Sequence, residues 1–415
     1  MSPMSSHVRP PPMAPLAIRA YTATTALGRG RDVQLQALRE RRGGLRHNDL
    51  PVLAPGQEPL DCWIGRVEGL EEAALPPELA EWECRNNRLA WLALQPDGLR
   101  EAIAAAAARY GVERVAVILG TSTASIAATE EGYARLEPGV ATAGVFPADL
   151  QRPLVHTPHS LGGFVQAATG LRGPCVTVAT ACSSSAKVFA QAARLIAAGV
   201  CDAALVGGVD TLCGSVLFGF NSLQLVSPEP CRPFDAARVG LSLGEAGGYA
   251  LVERVDACDA AGLQLRGYGE SSDAHHMSAP HPQGLGAQLA MRDALARADI
   301  APDAIDYLNL HGPATPANDS VEALAVSALF PDSLHASSTK GWTGHTLGAA
   351  GIVESVIALL ALEHGELPGI LNSSTPDPDC GPQIRFDNAQ REIHYAMNNS
   401  FGFGGNNCSL VFGKA

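Results

Sequence analysis

The chemistry of this chain is read first at Cys182, in Val176-Thr-Val-Ala-Thr-Ala-Cys-Ser-Ser-Ser-Ala186. A β-branched run ends at this cysteine, and small residues lead from it into a helix expected from about Ser183 to Ala198. At a helix N-terminus a thiol meets partial positive charge and unpaired amides, which favour the thiolate. The same amides can hold a developing oxyanion. An arbitrary cysteine is more often a buried core residue; the strand-to-helix elbow and its hydroxyl-rich flank set this one apart.

Two histidines follow in loops where bases or hydrogen-bond donors could act. Tyr307-Leu-Asn-Leu-His-Gly-Pro-Ala-Thr-Pro-Ala-Asn-Asp319 delivers His311 from an apolar strand into a Gly/Pro-rich turn. Ser337-Ser-Thr-Lys-Gly-Trp-Thr-Gly-His-Thr-Leu-Gly-Ala-Ala-Gly351 carries Lys340 and His345 ahead of a small-residue helix. Taken singly, either histidine is more often a structural hydrogen-bonder. Lys340 is one of three lysines (Lys187, Lys340, Lys414) in a chain that otherwise uses arginine, so its retention invites a role. The glycines of Asn399-Ser-Phe-Gly-Phe-Gly-Gly-Asn-Asn407 permit close backbone approach, with Phe401 and Phe403 between them. Cys408 reads as a core strand residue rather than a second nucleophile.

The elements that must position these groups alternate. Strand-like runs at 114–119, 174–179 and 203–206 frame the first site, and runs at 305–310 and 395–412 frame the second. Helices are expected at 286–298 and 319–330 and after His345. This alternation predicts an α/β protein with buried sheets. Leu16–Ala26 (LAIRAYTATTA) and Leu263–Ala274 (LQLRGYGESSDA) look like two copies of one strand and loop, dividing the chain near residue 260.

The composition sets limits. With 415 residues and 46% hydrophobic content the chain supplies ample core. The formal charge of −13 argues against nucleic acid as a partner. Ten cysteines without CxxC spacing indicate neither a zinc cluster nor a secreted disulfide framework. No run approaches roughly 20 uninterrupted apolar residues, so no membrane partner is expected. The Pro/Ser-rich residues 1–15 read as a disordered tail, and the protein as cytoplasmic.

Together, ATACSSS, HGPATP, SSTKGWTGH and NSFGFGG resemble, in order and spacing, the elongating β-ketoacyl-acyl-carrier-protein synthases. Arg232-Pro-Phe-Asp235, Gly244-Glu-Ala-Gly247 and Ser271-Ser-Asp-Ala-His-His-Met277 extend the resemblance from about residue 16 to the C-terminus. It implies a thiolase-like fold of two similar halves, 16–262 and 263–415, in αβαβα layers. It implies that Cys182 carries the acyl chain, that His311 and His345 act on the malonyl thioester, and that Lys340 orders the site through Glu322. The amides of Cys182 and Phe403 would form an oxyanion hole, while Phe401 and Phe403 match gatekeeping positions.

The resemblance also implies decarboxylative Claisen condensation in fatty-acid, polyketide or aryl polyene synthesis, with Gly219–Pro228 closest to the pigment type. No tightly bound cofactor is implied; substrates ride on the phosphopantetheine of acyl carrier protein. The expected partners are that carrier and a second subunit, either identical or a chain-length-factor-like homologue. Arg85 and Arg88 are candidates for carrier docking, with Gln224 where better-known synthases have arginine. Two departures stand out: Pro313 replaces a family threonine that would touch the arm, leaving Thr315, and Asn406 replaces another. Rival readings are a non-catalytic partner subunit, which would lack the cysteine, and an acyl-CoA thiolase, which would need a second one.

Overall fold

The apolar and β-branched runs become ten strands: β1 (Leu16–Thr25), β2 (Val115–Gly120), β3 (Cys175–Val178), β4 (Ala203–Asp210), β5 (Ala246–Arg254), β6 (Leu263–Ser272), β7 (Tyr307–Asn309), β8 (His335–Ser337), β9 (Tyr395–Gly402) and β10 (Asn406–Lys414). The computed structural model describes residues 9–51, 58–138, 144–255 and 261–415. The strands follow one hydrogen-bonded path, β8-β7-β9-β10-β6-β1-β5-β4-β2-β3. Each half of that path repeats the other. β1-β5-β4 and β6-β10-β9 are antiparallel, whereas β4-β2-β3 and β9-β7-β8 are parallel.

The halves meet where β1 pairs with β6, Leu16 opposite Leu265 and Ala17 opposite Gln264. The repeat faint in the sequence is explicit here. The ladder slips between Ile18 and Ala20 in β1 and between Leu265 and Gly267 in β6, at Arg19 and Arg266 of the two matching segments. One extra residue at the same place bends both strands alike.

Two helices lie between the halves: α1 (Ser184–Ala197) and, later in the chain, Ala350–His364. Between them in sequence come α2 (Gly214–Ser222), α3 (Leu285–Ala298) and α4 (Pro316–Ser327), which makes Ala350–His364 α5. Phe189 and Ile196 of α1 share one core with Ile352, Val356 and Leu359 of α5 and with β-strand residues of both halves. α5 is buried from Ala350 to Leu362, enclosed on every side, and apolar there except at Glu354 and Ser355. The stretch Leu347–His364 is long and apolar enough to cross a membrane, but 89% of it is enclosed by the protein, as a core helix is. Gly351 allows α5 to touch α1, since a Cβ there would lie 2.4 Å from the Ala186 nitrogen.

Outside the sheets, helices Arg85–Ala93, Leu99–Tyr110 and Ser160–Thr169 cover the first half and α3 and α4 the second, completing the αβαβα layers. The helix expected from residue 319 begins at Pro316, because proline lacks only a donor that the first turn leaves unpaired anyway. Part of the expected tail is docked rather than disordered. The Met13 amide donates to the Arg297 carbonyl at 2.9 Å, and Arg9 pairs with Asp299 at 3.4 Å. Residues 1–8 of that segment lie outside the described residues.

Candidate active site

Cys182, His311 and the Lys340–His345 loop all follow the carboxyl ends of parallel strands, β3, β7 and β8, where open α/β sheets gather their functional loops. Ala181 has φ of 52°. The left-handed step turns the chain from strand to helix within a few residues and aims the next side chain outward. The elbow ties itself down: the Thr180 amide donates to Ser184 Oγ at 2.9 Å, and Ser183 Oγ donates to the Thr180 carbonyl at 2.9 Å. Gly402 brings the C-terminal loop against it. A Cβ at this glycine would sit 2.9 Å from the Thr180 oxygen and 3.1 Å from the Cys182 nitrogen.

The three reactive groups converge. The Cys182 sulfur and one ring nitrogen each from His311 and His345 lie within 4.8 Å of one another, all buried. His345 Nε2 is 3.1 Å from Cys182 Sγ, and the two imidazoles meet edge to face with centroids 5.3 Å apart. Their proton positions follow from their other neighbours. The Leu347 amide donates to His345 Nδ1 at 3.1 Å, so in the neutral ring the proton is on Nε2, facing the sulfur. Lys340 Nζ stands 3.4 Å from His311 Nδ1, and an ammonium can only donate, so His311 also presents Nε2–H to the site. Burial and the Lys340 charge hold both imidazoles well below the ordinary histidine range, and both are neutral at pH 7.

Burial pushes the Cys182 thiol up to about 11, against the opposing pull of Lys340 and of the Phe403 and Cys182 amides. The thiolate expected from the helix N-terminus is therefore not the resting form; desolvation outweighs the dipole in a site this enclosed. The two amides named for an oxyanion hole are nonetheless the two that lean on the sulfur.

Lys340 is ordered differently from expectation. Its ammonium pairs with Glu354 of α5 and with the His311 carbonyl, not with Glu322. Glu322 instead accepts the His311 amide at 2.9 Å, the Gly312 amide at 2.8 Å and the Asn399 side chain at 3.2 Å, holding the histidine loop by its backbone. Glu354 escaped the motif reading, although a carboxylate in the middle of a mostly apolar run is a signal in itself, because such a charge needs a partner when buried.

A cavity of about 260 Å³ opens over these groups, lined also by Phe220, Thr315, Asn318, Phe401 and Phe403. Phe403 stacks on Phe220 of α2 at 5.6 Å and 21°, and Phe401 lies 6.1 Å from His311. Gly404 takes φ of 78° and its amide donates to the Met277 carbonyl at 2.7 Å, which ties the Phe403 loop to the 273–281 loop. Cys408 is buried in β10, in the shared core. Arg85 is no docking residue: its side chain is 14% exposed and lies between Glu71 and the buried Glu245. Arg88 pairs with Glu83.

Residues 86–257 match the beta-ketoacyl synthase N-terminal domain, and residues 263–374 match the C-terminal domain. A mitochondrial 3-oxoacyl-acyl-carrier-protein synthase of Arabidopsis thaliana is 38% identical over 269 residues, 60% of this chain and 58% of that one. The 3-oxoacyl-acyl-carrier-protein synthase 2 of Staphylococcus aureus is 35% identical over 271 residues, 62% and 66% of the two chains. The chain thus spans a little under two thirds of the length of these curated relatives. Among solved structures, the Xenorhabdus doucetiae ketosynthase ApeO, in complex with its chain length factor ApeC, superposes with TM-score 0.86 at 36% identity over 99% of this chain and 100% of that one. A beta-ketoacyl synthase of Burkholderia phymatum gives 0.82 at 26% identity, covering 97% and 100%. The chain belongs to the beta-ketoacyl synthase family.

Proposed function

We propose that this protein is a β-ketoacyl-acyl-carrier-protein synthase that joins an acyl group on Cys182 to malonyl-acyl-carrier protein with loss of CO₂. The observation that carries the reading is the buried convergence of one thiol with two neutral imidazoles that both point N–H at the reacting space. In the first half-reaction Cys182 sulfur attacks the acyl thioester. Its proton goes to water before the attack, the Cys182 and Phe403 amides receive the oxyanion, and the departing phosphopantetheine thiolate takes a proton from water. In the second, malonyl thioester loses CO₂, and the enolate oxygen is held by His311 and His345. The enolate carbon then attacks the Cys182 thioester, and collapse of the adduct expels Cys182 as thiolate.

Lys340 holds His311 in the required tautomer and adds positive charge beside the developing anions. The pathway reading is the aryl polyene type, supported by the ApeO likeness over the whole chain. The same likeness supports a chain-length-factor-like partner beside the acyl carrier protein. Against a thiolase, Cys408 lies in the core away from the cavity. Against a silent partner subunit, Cys182 is present and lines the cavity.

The test is to incubate the protein with acyl-carrier thioesters of several chain types and map the label by peptide mass. The label is expected on Cys182 and absent from Cys182→Ala. A label that persists on another residue of Cys182→Ala would remove the reading.

A further inference from the structure

The Cys182 cavity is lined in good part by side chains with nothing to offer a polar ligand, among them Ala279, Pro280, Pro313, Pro316 and Ala317. A phosphopantetheine arm, which the proposed function requires to enter here, carries two amide groups along its length. An amide that leaves water unpaired bears its full desolvation cost, so the wall should offer partners. Two of them are already engaged: Asp273 accepts the Asn407 side chain at 2.9 Å and the His281 amide at 3.1 Å, and the Ser278 hydroxyl lies 3.4 Å from His276 Nδ1.

Thr315 and Asn318, at the start of α4, are different. Thr315 is the N-cap of α4, a position where a threonine hydroxyl ordinarily accepts an amide of the first turn; here it makes no such bond and lines the cavity. Asn318, three residues on, lies on the same face of the helix. Its amide nitrogen is turned toward carboxylates, reaching Glu322 at 3.5 Å and hydrogen-bonding Asp319, whereas its carboxamide oxygen has no hydrogen-bond partner among the described residues. Glu322 does not depend on it, since three closer donors already satisfy that carboxylate.

We infer that Asn318 is a substrate-binding residue, whose carboxamide oxygen accepts an amide N–H of the phosphopantetheine arm beside the Thr315 hydroxyl and so takes up recognition that Pro313 cannot provide. The inference rests on the proposed synthase reading, and the test separates the two. Acylation of Cys182 is followed with an acyl-pantetheine thioester and with the same acyl group on a simple alkanethiol that has no amide, for wild type, Asn318→Ala and the near-isosteric Asn318→Leu. One neutral hydrogen bond is worth a few-fold to about tenfold in binding. Both variants are therefore expected to raise KM for the pantetheine thioester by roughly fivefold with kcat unchanged, and to leave the alkanethiol ester as in wild type. An unchanged KM for the pantetheine ester, or an equal change for both esters, overturns the assignment. Failure of wild type to acylate Cys182 from either ester would instead count against the synthase reading.

Discussion

At the scale of single residues, the two half-reactions call on different atoms. Acylation uses the sulfur and two backbone amides, whereas enolate formation uses the imidazole N–H groups. His311→Ala and His345→Ala are expected to accept an acyl group on Cys182 but to release CO₂ from malonyl-acyl-carrier protein on the order of 10²–10³ more slowly, the usual cost of one lost oxyanion donor. Single-turnover acylation measured beside labelled CO₂ release checks this; normal decarboxylation in either folded variant would contradict the assigned role. The pH dependences differ as well. A thiol pushed up to about 11 is protonated across pH 6–9, so acylation should climb roughly tenfold per pH unit over that range. Histidines held well below their ordinary range stay neutral there, so decarboxylation should be flat. Lys340→Met removes the charge opposing the rise of the thiol, and its acylation profile should move to still higher pH.

At the scale of elements, the site depends on how β3, β7 and β8 deliver their loops and on how closely α5 passes them. The Lys340–Glu354 pair links α5 to the Lys340 loop inside the core, with both side chains almost fully enclosed. Removing one partner strands a buried charge, so Glu354→Leu should lose about 3–5 kcal/mol of stability, while Lys340→Met/Glu354→Leu regains much of it. Denaturant titration of wild type, both single variants and the double variant would measure this, and additive losses in the double variant would contradict it. The strand-loop-helix units that carry Cys182 and His311 were legible in the sequence, because an apolar run ending in glycine, proline or small hydroxyl residues marks both a strand end and a sharp exit; for His345 only the loop and the following helix were, since β8 is three residues long. The partner of Lys340 was not, since Glu354 and Glu322 are both carboxylates on helices and only the packing of α5 selects between them. The resting thiol was not legible either: a helix N-terminus can be read from residue order, but the desolvation that overrides it comes from enclosure by both halves.

At the scale of the whole molecule, one half supplies the nucleophile and the other both histidines. The core around α1 and α5 draws residues from each, so either half alone keeps its own outer apolar cluster but loses part of this shared one. Expressed separately, 16–262 and 263–415 are expected to show no cooperative thermal transition by circular dichroism, whereas the full chain melts as a unit. A cooperative melt of either half alone would show that the shared core is dispensable. The mirrored order of strands and the matching slips at Arg19 and Arg266 were foreshadowed only by LAIRAY and LQLRGY, because elsewhere the halves keep their geometry with different side chains.

The convergence of a thiol and two imidazoles has a further consequence for metal chemistry. One sulfur and two ring nitrogens within 4.8 Å are the donor set that zinc favours, in a cavity able to admit a fourth ligand. The proton arrangement works against such poisoning. A cation bound at the Nε2 atoms would need both ring protons moved to Nδ1, where the Leu347 amide and the Lys340 ammonium already direct hydrogens. It would also share the site with the Lys340 charge. Cobalt(II), added as a spectroscopic stand-in for zinc, should therefore give no sulfur-to-cobalt absorption band with the wild-type protein at micromolar concentrations; a strong band would mean that the tautomers are free to exchange. The hydrogen bonds that prepare two donors for an enolate thus also make a ready-made chelate unattractive to the metal it resembles.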